Sequence, residues 1–273
     1  TVRHLPSKRG HSITLQIGEP ALIAKQTSLP VISDFRRSDI ASGGQGAPLS
    51  PILHEKLFRS NDKWRAIVNI GGIANITLLP PYHSRKKPLA SDCGPGNMAI
   101  DKAMSRLFKM PYDKNGLIAL NGKARTDIVD DVFSMPFFSA KLPKSTGREL
   151  FGDNFYNLVF DRMSSADPAD IVSTFSEITS TGIARFIKCY SIKIDEIYLC
   201  GGGAKNKYIV SRLETLFPNT KIKSTSALGF DPDYLEAVLW AYLGFCFVKQ
   251  IPINSSHFTG AKKQYIPGKI CLP

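Results

Sequence analysis

The 273-residue sequence is short of the features that most directly assign a chain to a class. It has no CxxC pair: its five cysteines, Cys93, Cys189, Cys200, Cys246 and Cys271, are widely separated. An odd, scattered set suits neither a disulfide framework nor a zinc site and points to a reducing compartment, so a cytoplasmic location is expected. No apolar run reaches the roughly 20 residues that a membrane-spanning helix needs; the longest, residues 237–248, stops short. The opening TVRHLPSKRG is basic with no apolar stretch behind it. Neither a membrane span nor a signal peptide is therefore expected. GxxxxGK[ST] and GxGxxG are both absent, which excludes P-loop and Rossmann nucleotide binding by motif. No repeat of solenoid period, no low-complexity tract and no nucleophile triad is evident.

What is present describes a folded protein. The composition is 43% hydrophobic and 21% charged, that of a globular chain, and the length suits one large domain or two lobes. Thirty-five Lys and Arg against 23 Asp and Glu give a net charge of +12. The densest basic clusters, residues 84–87 and 261–263, are short, loop-like and free of the interleaved aromatics of a base-stacking platform. A solvated basic surface is expected rather than a nucleic-acid partner.

Residues 12–17 alternate as a strand does, 30–35 form an apolar run that should be buried, and 65–79 read as two strands around Gly71 and Gly72. Helical periodicity begins at Asn97 in NMAIDKAMSRLF. Asp167 followed by Pro168 supplies an N-cap and a first helical proline for a helix reaching about Tyr190. Residues 195–200 return to strand, run into Gly201, Gly202 and Gly203, and lead to a helix over 205–217. Asp231 and Pro232 are expected to open a last long helix in the same way. This succession predicts an α/β architecture.

Both glycine clusters follow an apolar strand, where a backbone free of side chains either makes an ordinary tight turn or lets a phosphate or nucleoside approach closely. In SDCGPGN, residues 91–97, Asp92 ends a strand ahead of a Gly-Pro-Gly turn, with Asn97 as the expected helix cap. Strand ends are where α/β proteins keep their chemistry, although an aspartate there also makes local turn bonds. Arg36, in DFRRSDIASGGQGAPL, either forks onto a carboxylate or phosphate or pairs with Asp34 or Asp39. Thr146 and Glu149 fit a capping box. Glu236 stands at the start of an apolar helix, where an acid has a partner, a task, or a place at the helix N-terminus.

Taken together and in order, DFRRSDIASGGQGAPL, VNIGGIANITLL, SDCGPGN, PKSTGRE and CGGGAKN resemble the anhydro-N-acetylmuramic acid kinases of the sugar kinase, actin and heat-shock chaperone superfamily. The resemblance runs over nearly the whole chain and implies a two-lobed actin-like ATPase (ribonuclease H-like) fold with the first lobe incomplete. It implies residues 1–62 as the remainder of that lobe, 63–258 as a second lobe with the nucleotide and sugar motifs, and 259–273 as a tail. It implies an enzyme using ATP and Mg²⁺ to open 1,6-anhydro-N-acetylmuramic acid with water while phosphorylating O6, with an amino sugar and ATP as partners and a possible homodimer. Residue by residue, Asp92 corresponds to the base that activates water and Glu236 to a second acid near the sugar. Arg36, Gln45 and Asn97 correspond to substrate contacts. Asn69, Gly71 and Gly72 correspond to the phosphate-side turn, and Gly201, Gly202, Gly203 and Asn206 to the nucleoside-side loop. No metal ligand is assigned. Two departures stand out: the family's GTSxDGxD-like and HGQT motifs are absent, and Cys93 occupies a position where the family carries threonine. The first departure makes a catalytically impaired or truncated member, acting in sugar binding or assembly, the alternative expectation.

Overall fold

The computed structural model describes residues 3–5, 12–141, 144–190 and 192–273. Pro143 of the PKSTGRE stretch and most of the basic opening lie outside them. Among the described residues there are nine strands: β1 (Arg3–Leu5), β2 (Ile13–Leu15), β3 (Val31–Ser33), β4 (Arg65–Ile70), β5 (Ile73–Leu79), β6 (Leu89–Pro95), β7 (Glu196–Cys200), β8 (Lys221–Ser224) and β9 (Lys269–Cys271). The chain divides into two compact units, one of Thr1–Leu57, Lys87–Ala90 and Glu236–Pro273, the other of Phe58–Lys86 and Ser91–Leu235.

The second unit is built on a five-stranded sheet in the order β6-β5-β4-β7-β8. The two strands expected around Gly71 and Gly72 form an antiparallel hairpin, Ile70 opposite Ala74 and Arg65 opposite Leu79. β7 and then β8 join β4 in parallel. This order is that of a ribonuclease H-like lobe, so the α/β, actin-like expectation holds. Ala66, Ile67 and Val68 are each 0% exposed, as consecutive apolar residues must be in a central strand covered on both faces. Charge fixes the strand register: Glu196 opposite Arg65 accepts from Arg65 Nε at 2.8 Å and from Lys63 Nζ at 2.7 Å.

Helix Pro168–Cys189 starts as the sequence predicts, with the Asp167 side chain accepting from Ala169 N at 2.8 Å and Pro168 in the first turn. Its buried Glu177 accepts from Arg212 Nε at 2.7 Å and from Tyr208 OH at 3.1 Å, tying it to helix Lys207–Leu216.

In the first unit β1 pairs with β2 and β3 with β9, both antiparallel. A fully buried Asp39 organises this unit. Its carboxylate accepts from Gly46 N at 2.7 Å, from Thr259 Oγ1 and Tyr265 OH each at 2.8 Å, and from Ser255 Oγ. These bonds, with the β3–β9 pairing, account for the grouping of residues after Glu236 with the N-terminal residues.

Four local expectations are corrected. Residues 31–33 are half-buried in β3, not a buried run, because among the described residues their only strand partner is β9. The cap of helix Asn97–Phe108 is Gly96, and Asn97 Nδ2 instead donates to Ile70 O at 3.0 Å. Asp231 and Pro232 do not begin the last helix: Asp231 Oδ1 takes Asp233 N at 2.9 Å in a turn, and the helix runs Leu235–Val248. Thr146 caps nothing: helix Arg148–Phe151 follows Gly147 without a side-chain cap, Thr146 Oγ1 is buried without a hydrogen-bond partner among the described residues, and the Thr146 amide, which a capping box would give to Glu149, donates to Asp92.

Candidate functional site

Asp92 lies in the middle of β6 rather than at its end, because Gly94 and Pro95 continue the strand instead of turning, and it is half-buried beside the 144–146 segment. The Asp92 amide donates to Lys144 O at 3.0 Å. Its carboxylate Oδ2 accepts from Thr146 N at 2.8 Å and from Ser145 Oγ at 3.2 Å. Burial pushes the Asp92 carboxyl up to about 6, against the Thr146 and Ser145 hydrogen bonds that favour its charged form. Both bonds go to one oxygen, and the acid is ionised near neutrality yet basic enough to take a proton, as a general base requires. Cys93, the next residue, alternates to the other face, is buried, and donates from Sγ to Ala74 O at 3.2 Å.

Beyond β6 the backbone of Gly96 and Asn97 closes onto the β4–β5 turn, Gly96 N donating to Gly72 O at 2.9 Å and Asn97 N to Gly71 O at 2.7 Å. The approach is so close that a Cβ on Gly96 would stand 2.2 Å from Gly71 O. Gly71 and Gly72 differ from it. A side chain at Gly71 would meet nothing nearer than Ile73 O at 3.7 Å, and at Gly72 only the flexible Met98 Cε at 3.3 Å. Packing among the described residues does not require glycine at either position.

The Gly201, Gly202 and Gly203 loop divides by the same test. Gly201 has φ +75° and would bring a Cβ within 2.5 Å of Asn69 Oδ1, while a Cβ on Gly203 would lie 2.2 Å from Ile70 Cγ2. Both are glycine because the loop packs on the end of β4. Gly202 is exposed, and a Cβ there would have only Asn97 Nδ2 at 3.6 Å. Asn206 is buried and caps helix Lys207–Leu216, its Oδ1 accepting from Tyr208 N at 3.0 Å and Ile209 N at 3.2 Å.

Asn97, Gly202, Gly203 and Asn206 line one cavity of about 450 Å³ with Asp101, Asp113 and Lys114. The structure thus brings together four of the residues expected at the substrate and the nucleoside. Asn69, Gly71 and Gly72 do not line it. Asp101 gave no sequence signal, since it sits inside an ordinary amphipathic helix.

The first unit holds a second cavity, of about 480 Å³, which Arg36, Glu236, Phe35 and Trp240 help to line. Arg36 donates from Nη1 to Gly46 O at 3.0 Å and lies over the Trp240 ring at 5.5 Å. Burial lowers its pKa, opposed by the charges of Glu236 and Asp39. It makes no salt bridge to Asp34, which pairs with Lys269 at 2.9 Å and Arg37 at 3.6 Å. Glu236 is exposed rather than held within an apolar helix, because Leu239, Leu243 and Cys246 take the buried face and leave the first turn open to the cavity. Gln45 is outside the cavity; its amide donates to Thr259 O at 2.9 Å, in the loop fastened to Asp39 through Gly46.

No helix among the described residues is long and apolar enough to cross a membrane. Among them, too, no group of three or more His, Cys, Asp or Glu side chains is arranged to hold a metal ion.

The family model for anhydro-N-acetylmuramic acid kinase matches residues 1–273. A protein of Pseudomonas syringae pv. tomato named anhydro-N-acetylmuramic acid kinase is 42% identical over 270 residues, covering 99% of this chain and 72% of that protein. One of the same name from Shewanella putrefaciens is 43% identical over 271 residues, covering 98% of this chain and 72% of that protein. Among solved structures, the activator of the 2-hydroxyisocaproyl-CoA dehydratase from Clostridium difficile with bound ADPNP superposes with a TM-score of 0.45 at 18% identity, over 74% of this chain and 67% of that one. The match along the whole sequence, at this identity and coverage, makes the chain a member of the anhydro-N-acetylmuramic acid kinase family.

Proposed function

We propose that the protein uses ATP to phosphorylate 1,6-anhydro-N-acetylmuramic acid at O6 while water opens the anhydro bridge, with Asp92 as the base that activates the water. The observation that carries this reading is the Asp92 carboxylate. It sits in the middle of β6, an outer strand of the larger sheet, is held by the Thr146 amide and the Ser145 hydroxyl, and is raised by burial to about 6. A base of that strength is charged at neutral pH and accepts a proton as the water oxygen bonds to the anomeric carbon. As the bridge opens, O6 leaves C1 and takes the γ-phosphoryl group.

Gly71, Gly72 and Asn69 serve the phosphate side, and Gly201, Gly202, Gly203 and Asn206 the nucleoside side. Gly71 and Gly72 support this assignment because, among the described residues, no backbone atom crowds a side chain at either, so an approaching ligand is a reason for glycine there. Phosphoryl transfer depends on alignment and neutralised charge rather than on a covalent protein intermediate. Arg36, Gln45 and Asn97 contact the sugar, and Glu236 is the second acid. Arg36 and Glu236, on one cavity wall with Trp240, give a sugar both a charged partner and an aromatic face. Mg²⁺, bound mainly through phosphates and water with one or two carboxylates at most, neutralises phosphate charge when present. Among the described residues no group of three or more His, Cys, Asp or Glu would hold the ion without the nucleotide. Dependence on ATP and five unpaired cysteines support a cytoplasmic setting.

The test is incubation of the protein with ATP, Mg²⁺ and the anhydro sugar, followed by mass spectrometry. The expected product is the sugar plus one water and one HPO₃, esterified at O6. Phosphorylation with the bridge intact, or hydrolysis without phosphorylation, would exclude the coupled reaction.

A further inference from the structure

The cavity lined by Asn97, Gly202 and Asn206 contains one acid that nothing described above uses. Several of its other polar side chains are engaged: Asn97 Nδ2 donates to Ile70 O, Asn206 Oδ1 caps a helix, and Lys205 is paired with Asp233. Asp113 is committed through both oxygens, to Ile118 N and Ala119 N, each at 3.0 Å. Asp101, one turn into helix Asn97–Phe108, lines the same wall half-buried and has no hydrogen bond or ion pair among the described residues. Burial alone holds its carboxyl up at about 6, with no nearby donor to offset the lost water. A desolvated carboxylate with two free acceptor oxygens is completed by a pair of adjacent donors. It also disfavours phosphate groups at its own end of the cavity, since like charges repel.

We propose that Asp101 accepts hydrogen bonds from the 2′- and 3′-hydroxyls of the nucleotide's ribose, and so sets a preference for ribonucleotides over 2′-deoxyribonucleotides. A vicinal diol presents two hydroxyl donors side by side, which matches a carboxylate's two oxygens. Acids fill this role in other nucleotide folds for the same reason. The inference rests on the reading of this cavity as the nucleoside subsite, so the experiment tests the two separately.

The affinities of ADP and 2′-deoxy-ADP are measured by calorimetry for the unaltered protein and for Gly202→Val, Asp101→Ala and Asp101→Asn. Gly202→Val tests the subsite, because a Cβ there meets nothing nearer than Asn97 Nδ2 at 3.6 Å and Gly202 lines the cavity. Weakening of ADP binding by this variant is expected, and unchanged affinity would overturn the subsite and the inference with it. Given that weakening, the unaltered protein is expected to favour ADP at least about tenfold, the worth of a hydrogen bond to a charged group. Asp101→Ala should bring the ratio to within about twofold by weakening ADP alone, and Asp101→Asn should leave it intermediate. A purely structural Asp101 would weaken both ligands alike and preserve the ratio. That result, or the absence of a ribose preference in the unaltered protein, would overturn the role of Asp101 while leaving the nucleoside subsite in place.

Discussion

The Thr146 backbone amide donates to Oδ2 of Asp92 at 2.8 Å, across 54 residues of sequence, so a loop that reads as a helix cap is the support of the candidate base. Replacing Asp92 with Asn keeps an oxygen for that amide but removes the basic group. Turnover is expected to fall by about 10²–10⁴, with sugar and ATP affinities within a few-fold. For the unaltered protein, kcat/KM should rise with pH through a limb near 6 as Asp92 loses its proton. Steady-state kinetics across that range check both, and equal turnover by Asp92→Asn excludes Asp92 as the base.

The raised carboxyl also predicts a stability change with a definite sign. The folded protein holds the Asp92 proton more tightly than the unfolded chain, whose carboxyl titrates near 4. From about pH 4 to 6 the folded state binds more protons, so this group's contribution becomes less favourable as pH rises and is constant above. Asp92→Asn lacks this loss and should gain melting temperature relative to the unaltered protein between pH 4 and 7. Thermal scans at several pH values read the difference directly, and a gap that stays flat or narrows as pH rises contradicts it.

Gly72→Val separates a ligand-imposed glycine from a packing one. Since only the mobile end of Met98 stands near a Cβ there, the variant should fold with stability within about 1 kcal/mol. Its ATP affinity should nonetheless fall by tenfold or more while sugar affinity holds. Calorimetry with each ligand checks this, and unchanged ATP binding in the folded variant removes the β4–β5 turn from the phosphate site.

Asp39→Asn puts an amide among four groups that all donate to the carboxylate: Gly46 N, Ser255 Oγ, Thr259 Oγ1 and Tyr265 OH. Its NH₂ then faces a donor in a fully buried site, for an expected loss of about 2–4 kcal/mol. Tyr265→Phe deletes one donor and leaves three, at about 1 kcal/mol. Urea unfolding ranks them. Because Gly46 and Gln45 hang on this network, the Asn variant should also weaken sugar binding, whereas Tyr265→Phe should spare it.

Elements whose signals are local were legible in the sequence. Asp167 and Pro168 specify a helix start from two adjacent residues, and the apolar runs on either side of Gly71 and Gly72 pair with each other in a hairpin. Where a side chain's partner is distant, local reading failed. Asn97 has the right chemistry for a cap, but Ile70 O, 27 positions away, claims its amide. Thr146 and Glu149 have capping-box spacing, but the helix begins after Gly147, and the Thr146 amide that Glu149 would accept from goes to Asp92. Glu236 follows the same logic, because the face a helix buries depends on packing that apolar composition alone does not specify. The candidate site was read as motifs in order; its sorting into packing glycines and open glycines was not legible, since that depends on which atoms approach each Cα.

The Gly201, Gly202 and Gly203 loop shows that sorting most sharply and predicts three unequal alanine variants. A methyl on Gly203 would stand 2.2 Å from Ile70 Cγ2 and 2.9 Å from Asn97 Oδ1, in the body of the larger unit. The β-strand backbone beneath cannot retreat without breaking the β4–β7 ladder, so Gly203→Ala should cost about 2 kcal/mol or more. Gly201→Ala meets Asn69 Oδ1 at 2.5 Å and must also hold φ +75°, adding about 1–2 kcal/mol of left-handed strain. Gly202→Ala meets nothing closer than 3.6 Å and should stay within about 0.5 kcal/mol of the unaltered protein. Urea midpoints for the three variants give the order directly. Equal destabilisation at Gly202 and Gly203 would show that the loop's glycines serve backbone freedom alone and not the close packing of Gly203 on β4.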